Sequence, residues 1–370
     1  MILFLHNRYR TIGGEERAVE DLLWLVRERL GEEAELLQRD SQTIGRGAAA
    51  AGLLAGGMRP DEIARAVRRT RARIVHVHNL NPTLGWRALA AARAAGARVV
   101  LHLHQYRLVC AVGVCFTHGE DCTRCHGRQT LPAVRRNCRG SRAESALYAA
   151  ALAAWQRRVV DHVDEFVAPS RFAIERLREL RAPVRSPHVL PHVIRSFAQA
   201  PRGSADGPAL LATRLAPEKG VDVAIEACRI AGVPLVIAGD GPERERLRHA
   251  DGEVSFAGLV DRAGLARLRG EASVALLPSR AAETFGLAAA EAMADGLPVA
   301  GSRIGALPEL VPDEWLVAPG DARALGAVIA RIRGDARAGA AALERVRGVA
   351  APEVVAPRLA AIYAAACDET

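Results

Sequence analysis

Hydrophobic and polar positions along the chain switch repeatedly between two periods. Short apolar runs of strand length fall at 2–6, 34–37, 73–78, 98–104 and 165–168. Between them the apolar residues take helical spacing, as at 15–30, where Val19, Leu22, Leu23, Val26 and Leu30 share a face. Helices are likewise predicted over 60–70, 83–95, 141–160 and 170–180, the last with Ser170 as its cap. The Ala- and Gly-rich stretch 45–57 favours no element. The same rhythm continues with strands at 209–213, 235–238, 254–256, 273–277, 299–300 and 316–317. Buried strands alternating with helices make doubly wound parallel sheets.

The 370 residues are too long for one comfortable domain and suit two. The predicted division is a first α/β domain over 1–196, a linker over 197–208, a second α/β domain over 209–350 and a terminal segment 351–370. The linker assignment rests on its Pro/Gly/Ser-rich composition, FAQAPRGSADGP. No apolar run reaches 18 residues, so no membrane-spanning helix is expected. Residues 1–5 form an opening strand too short for a signal peptide. These features predict a cytoplasmic protein, at most peripheral at the inner membrane surface.

Charge is uneven. Residues 1–200 carry 31 Arg against 19 acidic residues, whereas 201–370 carry 19 basic against 23 acidic residues, within a net charge of +8. The basic half suits an anionic or membrane-associated partner, or is a solvated Arg-rich surface. Among the 50 basic residues Lys219 is the only lysine. It stands at a strand-to-helix turn in LATRLAPEKGVDVAIEA, where a compact ammonium suits a phosphate oxygen better than a planar guanidinium does. Arg214 ends the preceding strand.

The stretch 276–309, LLPSRAAETFGLAAAEAMADGLPVAGSRIGALPE, has the same construction. A strand ends at Pro278, a polar loop carries Glu283, Thr284 and Phe285, and a helix opens at Gly286-Leu287 with Glu291 inside it. Loop carboxylate and helix N-terminus converge at the carboxyl end of a parallel strand, where open α/β sheets bind ligands. The first amides of that helix make a seat for a phosphate.

Arg214 with Glu218-Lys219-Gly220, then AGDGPERERL, then Glu283-x7-Glu291, then GALPELV occur in order over about a hundred residues. This set resembles family 4 of the retaining, nucleotide-sugar-dependent glycosyltransferases. The resemblance implies the GT-B fold, two Rossmann-like doubly wound domains facing a cleft, with the last helix packing back on the first domain. It implies that Arg214 and Lys219 neutralise a departing diphosphate without a catalytic cofactor. It implies that Glu291 holds the ribose and Glu283 a hydroxyl of the transferred sugar. In the first domain it implies donor contacts from the Gly13-Gly14 loop and from His104 near the sugar. The family often places Asp after that histidine, but Gln105 stands here.

Five of the seven cysteines lie between 105 and 140. Cys122-x2-Cys125 is a zinc half-site, with Cys110 and Cys138 flanking it by 12 and 13 residues, and Cys115, His118 and His126 as competing ligands. A structural zinc would order an insertion with almost no apolar core. A subset of the resembled family carries a similar insertion.

Together these features predict a retaining transferase that moves a sugar from a nucleoside-diphosphate sugar to an acceptor hydroxyl. A nucleotide-sugar 2-epimerase would share the fold but is not expected to combine the Glu-Lys-Gly and Glu-x7-Glu motifs. A dinucleotide-dependent dehydrogenase would need G-x-G-x-x-G after Leu5, which is missing. A zinc-stapled nucleic-acid binder would leave the second domain's motifs unexplained, so no nucleic acid is expected as partner. Sugar, base, acceptor and oligomeric state are not encoded in any motif found.

Overall fold

The computed structural model describes residues 1–8, 13–201, 203–248 and 253–368. Two compact units emerge: residues 1–118, 122–193 and 352–370, and residues 119–121 with 194–351.

The first unit is built on a six-stranded, wholly parallel sheet in the order Ala34–Asp40, Ile2–Arg8, Ile74–Val77, Arg98–His102, Glu165–Ala168, His188–Val189. Period-2 alternation sends Leu3, Leu5, Val75, Val77, Val99 and Leu101 to one face, against Ile63, Val67, Leu89 and Val159 of helices Pro60–Thr70, Gly85–Ala94 and Arg142–Val160. Ile2, Phe4, Ile74, Val100 and Val167 face the other way, against Val19, Leu22, Leu25 and Val26 of helix Gly14–Glu28. Val355, Leu359, Ile362 and Tyr363 of the terminal helix Pro352–Asp368 join the same cluster.

The second sheet runs Val254–Gly258, Leu235–Ala238, Ala209–Ala212, Val274–Leu277, Val299–Ser302, Leu316–Val317, again all parallel. Its inner strands are buried on both faces and largely apolar, whereas the edge strand Val254–Gly258 exposes Ser255 and Ala257. Helices Val221–Ala231, Leu287–Ala294, Ala322–Ile332 and Ala336–Ala350 cover it.

Three expectations gain detail. Residues 45–57, left without an element, contain helix Arg46–Ala55, ended by Gly56 in the left-handed region at φ 73°. The segment expected as a linker lies against the second unit as a strap. Its Ala198 N–H donates to Ala294 O at 2.9 Å, Ser204 N–H to Ala272 O at 2.9 Å, and Arg347 stacks over Phe197 at 5.7 Å. Turn-rich composition describes a strap pinned through its backbone as well as a flexible tether. Finally, Ala336–Asp368 is long and apolar enough to cross a membrane by length and composition, with half of that window buried in the protein. It is two helices parted at Ala351, and charges spaced among its alanines keep any strict apolar run short.

Candidate active site

The chain order of the second sheet reverses between strands Ala209–Ala212 and Val274–Leu277. Outside the carboxyl ends of such a strand pair an open α/β sheet forms its crevice. The two loops that leave these ends are locked together. Gly220 adopts φ 64°, and a Cβ there would lie 2.1 Å from Pro278 O. Arg280 and Ala281 N–H both donate to Glu218 O, at 2.8 and 3.2 Å. Arg280 also forms a two-pronged pair with Asp222, at 2.8 and 2.7 Å, that pins the first turn of helix Val221–Ala231.

This scaffold brings Lys219 and Glu283 together across 64 residues of sequence. Lys219 Nζ donates to Glu283 Oε1 at 2.7 Å, and Ser279 Oγ donates to the same oxygen at 2.7 Å. Burial works to raise the Glu283 pKa, but the lysine's charge and both hydrogen bonds outweigh it. The carboxyl is held below its ordinary range and is ionised at neutral pH. Its backbone is fixed as well. Ala306 N–H donates to Glu283 O at 2.8 Å, and Gly305, at φ 64°, lies so close that a Cβ would meet Glu283 N and O at 2.4 Å.

Three residues on, Gly286 enters helix Leu287–Ala294 through the left-handed region at φ 92°. No side chain caps this helix and its first turn holds no acid, so its leading amides keep their positive field for a ligand. Thr284 and the buried Phe285 complete the loop, and Leu287 opens the helix. Glu291 lies one turn further in and is largely buried. Its carboxylate accepts from Arg269 Nη1 at 3.4 Å, and Arg269 also pairs with Asp295. Arg214 is half exposed and pairs with Glu218, so its guanidinium sits over the Lys219 turn.

Sequence reasoning missed Ser279, the Asp222–Arg280 pair and Arg269. Ser279 directly follows the strand-ending Pro278, a position that could have flagged it. The others act across sequence distances that no local pattern encodes.

In the first unit the glycine loop has partners within the protein. The Gly13 amide, read as facing a diphosphate, already donates to Glu16 Oε2 at 2.8 Å in a capping arrangement. Gly14 is the first helical residue, followed by Glu15 and Glu16, so carboxylates occupy this N-terminus. Part of the loop read as 7–14, residues 9–12, lies outside the described residues. His104 is buried, and its Nε2 lies 2.7 Å from His78 Nδ1.

Cys110, Cys115, Cys122, Cys125 and Cys138 line one cavity of about 20 Å³ in the insertion. Gly113 N–H points at Cys110 Sγ, 3.4 Å away. A hydrogen bond from Cys115 and these backbone amides lower the Cys110 pKa to about 6, whereas burial pushes Cys125 up to about 12. Five thiols lining one small cavity are donors of the kind that bind zinc, although no three of their sulfurs lie within 4.8 Å of one another.

Both halves of the chain match known glycosyltransferase domains. Residues 15–192 match the family described as glycosyl transferase 4-like domain, and residues 209–335 match glycosyl transferases group 1. The chain belongs to the GT-B glycosyltransferases. Over 142 residues it is 37% identical to the amylovoran biosynthesis glycosyltransferase AmsK of Erwinia amylovora, covering 33% of this chain and 35% of the relative. A GDP-mannose-dependent α-(1-6)-phosphatidylinositol dimannoside mannosyltransferase of Mycobacterium tuberculosis is 47% identical over 106 residues, 26% of this chain and 28% of the relative. The matched stretch thus spans about a third of these curated relatives' length. Among solved structures, sucrose-phosphate synthase from Thermosynechococcus elongatus superposes with a TM-score of 0.69 over 98% of both chains at 20% identity. Anabaena HepE, solved with UDP, gives 0.63 over 98% of this chain and 99% of its own at 16% identity. At these identities the likeness establishes the GT-B fold.

Proposed function

We propose that this protein transfers a sugar from a nucleoside-diphosphate sugar to an acceptor hydroxyl with retention of anomeric configuration. The observation that carries this reading is the Lys219–Glu283 pair, held by two interlocked loops beside the uncapped N-terminus of helix Leu287–Ala294. Departure of a nucleoside diphosphate builds negative charge on the phosphate oxygens. An ammonium, a neighbouring guanidinium and fixed backbone amides stabilise that charge with no metal ion and little reorganisation. In this reading Lys219 and Arg214 meet the diphosphate, and Gly286 and Leu287 supply amides. Glu283 takes a sugar hydroxyl on the oxygen that Lys219 leaves open, and Glu291 takes the ribose. Retention follows from front-face attack in which the leaving phosphate accepts the acceptor's proton, so no nucleophilic carboxylate is assigned.

The cysteine cavity supports a structural zinc held by Cys110, Cys122, Cys125 and Cys138. The ion would order the insertion and take no part in transfer. About one equivalent of zinc should be lost on Cys122→Ser substitution.

Thermal-shift screening against UDP, GDP and ADP and their common sugars tests the donor. The matching nucleotide should raise Tm by mass action, and that rise should shrink in Lys219→Ala. If no nucleoside diphosphate or nucleotide sugar moves Tm, the reading fails. Proton NMR of the first-formed product settles the anomeric outcome.

A further inference from the structure

Six of the 11 histidines gather in the first unit: His76, His78, His102, His104 and His192 stack, and His6 meets His78 edge-on. The register explains why. Phe4 pairs with His76 and His76 with Val100, so His76, His78, His102 and His104 emerge on one face at the carboxyl ends of two adjacent strands. Ring centroids lie 4.6 Å apart for His76–His78 and 5.4 Å for His78–His102. All three rings are buried.

We propose that His76, His78 and His102 hold a divalent transition-metal ion of borderline softness, such as zinc or cobalt. Each offers a ring nitrogen, and these three atoms lie within 4.8 Å of one another. The hydrogen bonds already made select the nitrogens that remain. His76 Nδ1 is 2.7 Å from Tyr363 OH, and His78 Nδ1 is 2.7 Å from His104 Nε2. If both Nδ1 atoms carry the proton and donate, the lone pairs left are at Nε2. Those two Nε2 atoms, and both ring nitrogens of His102, are buried without a hydrogen-bond partner. Such orphans are rare, because each forfeits its hydration with nothing in return. A metal ion would satisfy one on each ring, with Tyr363 and His104 as the outer partners that orient metal-bound imidazoles.

Packing alone does not call for imidazole here, since Phe4 stacks on His76 and His78 at 5.3 and 5.5 Å in the same layer. The rings lie nearly parallel, at 14–28°, so metal–nitrogen bonds of about 2.0–2.1 Å require them to rotate out of the stack and turn their lone pairs to one point. A metal on His78 would also fix its proton on Nδ1, and so fix the face that His104 presents.

The site is independent of the glycosyl-transfer reading, because its readout is metal content and ligand type. The test uses the full-length chain carrying Cys122→Ser and Cys125→Ser, stripped with chelator and dialysed against Co²⁺. About one equivalent should stay bound, with weak visible d–d bands and no thiolate-to-cobalt charge transfer. Adding His102→Phe, a ring of similar shape, should abolish it. Absence of bound cobalt in the cysteine variant, or full binding in the triple variant, overturns the proposal. If either variant does not fold, X-ray absorption of zinc-loaded wild-type protein decides. About two equivalents of zinc with a nitrogen-rich average shell support the site, and a single equivalent overturns it, since His118 or His126 can itself put nitrogen on one cysteine-bound ion.

Discussion

The two sheets share architecture yet divide the chemistry, and the start of one helix in each unit shows how. Helix Gly14–Glu28 opens on Glu15 and Glu16, and Glu16 takes the Gly13 amide for itself. Helix Leu287–Ala294 opens on leucine and alanines with no cap. Both begin at the carboxyl end of a parallel sheet, and both carry a positive N-terminal field. One field is spent on the protein's own carboxylates, and the other is left for an anion. The lone lysine stands beside the second. Neutral imidazoles gather at the first sheet instead, which therefore offers ring nitrogens rather than positive charge.

Breaking this division should cost most at Lys219. Lys219→Ala should lower kcat/KM for transfer by about 10²–10³-fold, the range for losing one preorganised donor to developing charge. Gly13→Ala should stay within about threefold of wild type, because its amide is already used and the added Cβ meets only Glu16 Oε2 at 3.5 Å. Equal losses in the two variants, measured by steady-state kinetics, would erase the distinction.

Gly305→Ala comes next. Its Cβ would collide with the Glu283 backbone in a left-handed conformation, so the carboxylate must move. Turnover should fall by about tenfold or more for a stability loss of about 1–2 kcal/mol, read by kinetics and by urea unfolding of the same sample. Glu16→Ala should do the reverse. It should cost about 1 kcal/mol of stability through the lost cap and leave nucleotide affinity unchanged in calorimetry.

The smallest effect is in pH. The folded-state pKa of Glu283 is depressed, so its pair with Lys219 contributes stability above the ordinary carboxylate pKa of 4.5. That contribution is lost as pH falls through the lower folded value. Between neutrality and about pH 3 the Tm of Glu283→Gln should therefore converge on that of wild type.

Much of this was legible in the chain. Strand positions followed from apolar runs bounded by Gly and Pro, and Lys219 and Glu283 could be read as neighbours because each ends a strand-to-helix loop. The Lys219–Glu283 bond itself, and Ser279 as its third member, depend on loop packing around Gly220 and Gly305 that local pattern does not specify. The histidine stack was half legible. His-x-His recurs in two strands, but only parallel register puts all four rings on one face. The contacts of the linker at 197–208 were not legible, because they are backbone hydrogen bonds, which composition does not report.

The terminal helix Pro352–Asp368 has a consequence in time. It belongs to the first unit, whose sheet it covers with Val355, Leu359, Ile362 and Tyr363, yet it is translated after the whole of the second. The second unit is nearly continuous in sequence and can complete its core while still emerging from the ribosome. The first must wait with part of one sheet face uncovered, shielded there only by helix Gly14–Glu28, and Tyr363 reaches His76 only after the second unit has been made. Order of manufacture thus runs opposite to order in the chain: the half made first is finished last.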